Sequence, residues 1–462
     1  MDSVLFWRLA RMPTYATHPS DAPVTRSAVE TLLQALLPDI RDHTGRGRPP
    51  IIPAAMLWSA MLVCILRQDG SLRGIWRLIS ATGFWHWSRR DVSDDAIYHR
   101  LERQGPSLMA DLFETITATL WQTGLQDTRL ASFARAVVAL DESTLDRMVR
   151  KGAHRHTHPG HTALLPGKLS AVFDLRRQQF WKIRLHDDVA ENEKIAARQM
   201  VDGLPIGSLI LADLGYFGFA WFDDLTAQGH FWVARWRGAT STEEVHRYWG
   251  TDEAGESLVW LGAYRADQAR YAVRLLCVPH GATVHRYLTN VLDPHQLSMH
   301  EVADLYARRW DIEQAFKVLK TDLGLATIWS TKWPVIQAQV WAMLIIAQVA
   351  AHLRWQLAEA AQCPLADISL PVLLRVTPEL VARGENPVAV LSHAKYTGGV
   401  IRPSRRRPLV CPTVPEITPI PVELVREREP RYARKTRKRT TSPGIHPPVI
   451  SRAPTYPTLT SN

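Results

Sequence analysis

Residues 136–144 read AVVALDEST, and the first five of them are apolar without interruption. A strand that is apolar at every position, rather than at alternate ones, is buried on both faces, as in the middle of a sheet with helices on either side. The run ends in Asp141. A second run of the same kind, Leu209, Ile210, Leu211 and Ala212, ends in Asp213. Between them, residues 169–175 and 180–185 have strand character and flank a polar stretch at 176–179, which predicts a hairpin. Residues 191–200 predict a helix and residues 230–237 a further strand. Three strands, helix, strand, helix, strand is the order of an α/β fold with a mixed sheet and flanking helices.

The segments on either side differ in pattern. From residue 24 to about 124 the apolar period is helical: Leu32, Leu33, Leu36 and Leu37 recur at helical spacing, and residues 54–67 predict a buried helix. Two shorter helices follow, at 71–80 and 93–104, with Ser93 as N-cap and the connection near Gly83, the order of a helix-turn-helix. Arg100 and Arg103 on the second are placed to meet DNA, although basic residues also suit a solvated helix face. Residues 257–264, 271–278 and 285–291 predict strands separated by turns. Residues 301–323 and 333–362 predict long helices. The resulting division is 1–130, helical and DNA-binding; 131–237 and 299–362, two halves of a core; 238–298, a β-rich insertion; 363–401, helical; and 402–462, a tail.

The chain has 462 residues, 46% hydrophobic and 22% charged, which is globular composition and excludes a mainly disordered protein. Cys64, Cys277, Cys363 and Cys411 lie far apart with no CxxC pair, so a zinc ribbon or secreted disulfide framework is not indicated, and a reducing, cytoplasmic compartment is expected. The apolar stretches at 54–66 and 340–351 are short or broken by Gln348, so no membrane span is expected. The net charge of +10 is concentrated: residues 402–462 hold thirteen Arg or Lys, four Glu and twelve of the thirty prolines. Dense like charge with proline predicts a disordered basic tail, either a solubilising extension or an arm that binds a polyanion by counterion release.

The segment EVADLYARRWDIEQAFKVLKTDL, residues 301–323, carries Tyr306, Arg309, Glu313 and Lys320 along one edge when laid on a helix at about 100° per residue. Leu305, Ile312, Phe316, Leu319 and Leu323 form the adjoining apolar stripe. A carboxylate among cations is arranged for a metal and an anionic ligand, or equally for intrahelical ion pairs. Asp141 and Asp213, at strand ends, add two oxygen ligands. Three carboxylates suit hard Mg²⁺, or Mn²⁺ in its place, and two such ions support displacement at phosphorus. Asp311 and Asp322 project away from the Tyr306 edge; Glu142, Asp146 and Asp202 are rival acids.

The spacing Tyr-x2-Arg-x3-Glu-x6-Lys, met by Tyr306, Arg309, Glu313 and Lys320, resembles the signature of the YREK group of DDE transposases, insertion-sequence family four. LDEST around Asp141 and ADLGYF around Asp213 resemble the aspartate contexts of that family, and the likeness spans most of residues 24–360. Leu214 departs from it, where many relatives carry a basic residue. The resemblance implies a ribonuclease-H-like core, catalysis and metal binding by Asp141, Asp213 and Glu313, and a grip on the terminal phosphate by Tyr306, Arg309 and Lys320. It also implies double-stranded DNA partners, namely terminal inverted repeats and target DNA, a homodimer in the synaptic complex, and cut-and-paste movement through a hairpin intermediate on the bacterial nucleoid. Trp310, which follows Arg309 as in relatives, and Trp232, Trp236 and Trp260 are aromatic candidates to cover a flipped base.

Three alternatives stand beside this one. His154, His156, His158 and His161 offer imidazoles suited to zinc, or a loop near DNA. A ribonuclease-H-like nuclease would cut structured DNA without joining it. A DNA-binding regulator derived from a dead transposase would use the helical N-terminus and the tail alone.

Overall fold

The computed structural model describes residues 50–145, 167–186, 193–238, 240–262, 268–393, 399–403, 410–418 and 424–426, with a few isolated positions elsewhere before residue 163. Pro53 precedes α1 (Ala54–Leu66), which is buried all round and forms the centre of the helical region. The Ser71 hydroxyl caps α2 (Leu72–Arg77) by accepting from the Gly74 N–H at 2.9 Å. The expected helix at 71–80 ends sooner, because a π turn, Leu78–Thr82, takes over. It closes at Gly83, where φ is +66° and a Cβ would stand 2.8 Å from the Trp87 carbonyl oxygen, so only glycine fits. Ser93 caps α3 (Asp94–Gln104) as expected, and α4 is Ser107–Trp121.

The sheet follows from the two apolar runs. β1 (Val137–Thr144), β2 (Lys168–Asp174), β3 (Gln179–His186), β4 (Leu209–Ala212) and β5 (Phe231–Arg235) lie in the order 3-2-1-4-5. β1 pairs antiparallel with β2 and parallel with β4, and β5 is parallel to β4. Helices α5 (Glu193–Val201) and α6 (Phe219–Ala227) pack behind, around Val138, Ile210 and Trp232. β1 does not stop at Asp141; it continues to Thr144 against β2 alone, because its β4 pairing ends at Ala139.

The segment after β5 extends the same sheet rather than building a second one. β6 (Thr242–Gly250), β7 (Gly255–Leu261), β8 (Val273–His280) and β9 (Thr283–Thr289) are joined through β9 to β5, giving nine strands. The expected helix at 301–323 is broken. α7 (Met299–Arg308) opens with a Ser298/Glu301 capping box, a turn at Arg309 interrupts it, α8 (Trp310–Lys317) follows, and Val318–Asp322 is a π turn. The 100° projection therefore fails beyond residue 317, and Lys320 is carried by the wider turn.

α9 (Trp333–Ala360) packs against α1, α3 and α4 as well as α10 (Leu370–Ala382) and α11 (Pro387–His393), so one core runs from Leu33 to Val400. By length and composition α9 could cross a membrane, but it is mostly buried in protein. Its Gln348 is 1% exposed and donates to Thr117 Oγ1 and the Phe180 carbonyl while accepting from the Phe180 N–H. That satisfied amide is a device of a protein core.

The expectation of a disordered tail from residue 402 is corrected for two segments. Ile417 is buried and its carbonyl lies 3.1 Å from His295 Nε2, and Val425 bridges to Tyr271. Arg426 donates to the carbonyls of Ala269 and Leu261 at 2.8 and 2.6 Å. The cationic stretch from residue 427 onward lies outside the described residues.

Candidate active site

Asp141 and Asp213 become neighbours through strand register. The β1–β4 ladder runs Val137 with Leu209, Val138 with Ile210 and Ala139 with Leu211; two further steps set Asp141 against Asp213. Asp213 keeps extended backbone, φ −76° and ψ 168°, so the strand direction holds there. The β4–β5 ladder ends at Ala212 with Ala234, and one further step sets Asp213 against Arg235, which pairs across β9 with Tyr287. Strands lie about 4.8 Å apart, so one transverse row carries Asp141, Asp213, Arg235 and Tyr287. Val137, Ala139, Leu211 and Val233, at alternate positions before them, face the core beneath α7, α8 and α9, and the row shares that face.

α8 packs on β1 and brings the third carboxylate. Ile312 and Phe316 are buried beneath it, leaving Glu313 half-buried at the edge. Arg309 Nη2 donates to Glu313 Oε1 at 2.7 Å, and its guanidinium lies 5.8 Å from the Tyr306 ring. Tyr306 is 5.2 Å from Tyr287, centroid to centroid. Lys320 lines a small crevice with Ser143 and Phe316, two residues along β1 from Asp141.

The electrostatics follow from this proximity. Burial lifts the Asp141 carboxyl to about 6; the Glu142 N–H and Arg309 oppose the rise, and Glu313 and Asp213 add to it. Burial pushes the Tyr306 hydroxyl up to about 12, with Arg309 and Arg235 pulling it back and Asp213 reinforcing it. An oxygen-only set at the carboxyl ends of central strands fits a hard divalent ion in donor chemistry. Glu313 is meanwhile held by Arg309, and among the described residues no three Asp, Glu, His or Cys side chains stand close enough to share an ion.

Several expectations are corrected. Trp232 is 0% exposed, stacks on Phe222 at 4.1 Å and donates its indole N–H to Thr226, so it is core and cannot cover a base. Trp236 packs against the core on the α6 side, the face opposite Asp141. Trp260 has the Arg426 guanidinium 4.8 Å over its ring. Trp310 alone of these is open, 53% exposed on a cleft of about 1330 Å³ that also receives Asp311, Gln314 and Arg308. Arg103 is exposed and donates to the His99 carbonyl; Arg100 is half-buried.

Among the rival acids, Glu142 is paired with Lys168, Asp311 accepts from Gln178, Asp322 pairs with Arg375, and Asp146 lies outside the described residues. So do His154 and His156; His158 and His161 are backbone register partners in a short two-stranded ladder. Leu214 opens a 3₁₀ turn and is 37% exposed. Sequence reasoning missed Arg235. FWVAR, like AVVALD and LILAD, is an apolar run closed by a charge, and that third instance was the available signal.

Residues 132–349 match the family described as "Transposase DDE domain". The chain is 24% identical over 371 residues to transposase InsG for insertion sequence element IS4 of Escherichia coli (strain K12), covering 71% of this chain and 80% of that protein. A solved piggyBac transposase synaptic complex with hairpin DNA matches at 9% identity over 80% of this chain and 78% of that chain, with a TM-score of 0.41, a level that carries no functional weight.

Proposed function

We propose that the chain is a DDE transposase of insertion-sequence family four, a reading supported by the domain match and by the likeness to an IS4 transposase, and that it cuts DNA at the ends of a mobile element and joins them to a target. The observation that supports this best is the transverse row that sets Asp141 beside Asp213, with Glu313 facing them from α8. Asp141, Asp213 and Glu313 would hold two Mg²⁺ ions, or Mn²⁺. Such ions, when bound, acidify a water and neutralise charge at phosphorus. The mixed sheet of order 3-2-1-4-5 with helices packed on both faces supports a ribonuclease-H-like core.

The remaining side chains bind and orient. Arg309 offers a planar fork to a phosphate, and drawing it off Glu313 frees that carboxylate. Tyr306, held neutral far above physiological pH, donates a hydrogen bond rather than reacting. Arg235 stands within the row, between Asp213 and Tyr287, and Lys320 lies beyond its β1 end beside Ser143. Water attacks the phosphodiester, the 3′ oxygen leaves as a hydroxyl, and that hydroxyl is the next nucleophile, toward the opposite strand in a hairpin and then toward target DNA. Trp310 is the exposed ring on which a flipped base would stack. A dimer bridging two inverted repeats and a cytoplasmic, nucleoid-bound location follow from the same reading.

The deciding experiment incubates the chain with paired element ends, target plasmid and Mg²⁺. Joined product is expected. Cutting without joining selects the nuclease, and binding with neither step selects the regulator.

DNA affinity measured against salt tests the cations. Residues 427–462 hold eight basic and two acidic residues, so truncation after Arg426 is expected to flatten the log–log salt slope by several units. Arg235→Ala is expected to reduce it by about one. An unchanged slope in either variant removes that group from the interface.

A further inference from the structure

Glu142 lies directly behind Asp141. Consecutive strand residues face opposite sides of a sheet, so Glu142 points toward α5 where Asp141 points toward α8. Lys168 Nζ stands 2.7 Å from Glu142 Oε2 as an ion pair. The Ser170 hydroxyl donates to Glu142 Oε1 at 2.6 Å, and Ser170 Oγ lies 2.8 Å from His186 Nε2. With its own hydrogen committed to Glu142, Ser170 must accept from His186, which places the imidazole proton on Nε2. Lys168, Ser170 and His186 are each 3% exposed. Three strands are stitched together by one polar network.

The network falls where β1 loses one of its two ladders. The ladder of β1 with β4 ends at Ala139, whereas its ladder with β2 continues to Thr144. Residues 141–144 are thus held from one side. On the open side the Glu142 N–H, with no β4 partner in the ladder, donates to Asp141 Oδ1 at 2.8 Å. Glu142 therefore acts twice: its side chain is locked from behind and its N–H orients the Asp141 carboxylate in front.

We propose that Glu142 is a positioning residue of the site, which with Lys168, Ser170 and His186 fixes the Asp141 carboxylate in the orientation that receives a divalent ion. The inference rests on the role proposed above for Asp141. Partners that orient metal ligands from outside the coordination sphere typically change affinity or activity by about 10- to 100-fold when lost. Glu142 differs from a ligand in that it never touches the ion.

The test uses the full chain, with Mn²⁺ as probe, its free concentration read by electron paramagnetic resonance, and thermal unfolding recorded alongside. Glu142→Gln combined with Lys168→Met removes both buried charges, so neither is stranded. The expected result is a melting temperature close to native, Mn²⁺ affinity about tenfold weaker, and kcat for cleavage reduced with KM for end DNA unchanged. Mn²⁺ affinity within twofold of native in the folded double variant overturns the proposal. Should that variant not fold, Ser170→Ala decides: it removes one hydroxyl, and Mn²⁺ binding weakened severalfold supports the role while unaltered binding overturns it. Asp141→Ala is the separate control. If it leaves Mn²⁺ binding intact, the assignment of Asp141 itself fails, and Glu142 with it.

Discussion

Alanine at Asp141, Asp213 or Glu313 is expected to lower divalent-ion-dependent cleavage of element ends by on the order of 10³-fold or more, about 4 kcal/mol of transition-state stabilisation, while end binding persists. Cleavage at the native rate by any one variant removes that residue from the site. Asp141 adds a signature that a merely structural acid would lack. Its carboxyl is held at about 6, chiefly by burial and then by Glu313 and Asp213 against the pull of the Glu142 N–H and Arg309. At neutral pH the folded chain keeps this group charged at a cost of roughly 2–3 kcal/mol. A carboxyl raised on folding favours the fold fully below its unfolded pKa of about 4, and that contribution is lost as pH rises through about 6. Asp141→Asn is therefore expected to melt higher than the native chain at pH 7.5 without added ions, and at the same temperature at pH 4. Cleavage by the native enzyme should fall as pH drops through 6. A melting temperature that does not rise in Asp141→Asn at pH 7.5 would show that the carboxyl is not strained by its neighbours.

What could be read beforehand follows from which forces leave a local trace. β1 and β4 were legible because a strand buried on both faces must be apolar throughout, and AVVAL and LILA admit few other structures. The caps at Ser71, Ser93 and Ser298 follow local hydrogen-bond chemistry, although only Ser93 was singled out. β6 was missed because TEEVHRYWG lies at the sheet edge with Glu243 through His246 exposed, so no apolar alternation marks it. The break at Arg309 left no mark either, since a single turn hardly disturbs the 3.6-residue period on which the helix was inferred.

The site was legible in part for the same reason. The three carboxylates sit in motifs that a resemblance can carry, whereas the adjacency of Asp141 and Asp213 is a consequence of parallel register. Arg235 belongs to that register and to no motif. Glu142 looked like a competitor for the ion until its partners on β2 and β3 were in place. Trp232 shows the converse: an aromatic in a suitable place along the chain is buried against Phe222, and only packing separates a core ring from a stacking platform.

The largest effect on stability is expected away from the carboxylates, at Glu256 and Arg274. Both side chains are 0% exposed, with Arg274 Nε 3.4 Å from Glu256 Oε2. Arg274 also donates to the Leu297 carbonyl, immediately before the Ser298 cap of α7. The pair thus joins β7 and β8 to the root of the helix that presents Tyr306. Burial pushes the Glu256 carboxyl up and Arg274 pulls it back; burial likewise lowers Arg274 against the attraction of Glu256. Glu256→Ala would strand a buried guanidinium and is expected to cost about 3–5 kcal/mol, whereas replacing both partners by Leu and Met should recover most of it, because desolvation of the two charges absorbs much of their attraction. Urea unfolding of the two variants checks this, and a single-variant loss below about 1 kcal/mol would mean that water reaches the pair. If the double variant is stable yet binds element ends less tightly than the native chain, the ion pair sets the position of α7 rather than the stability of the fold. Native binding by that variant would leave apolar packing of Val302 and Leu305 as what aims Tyr306 at the row.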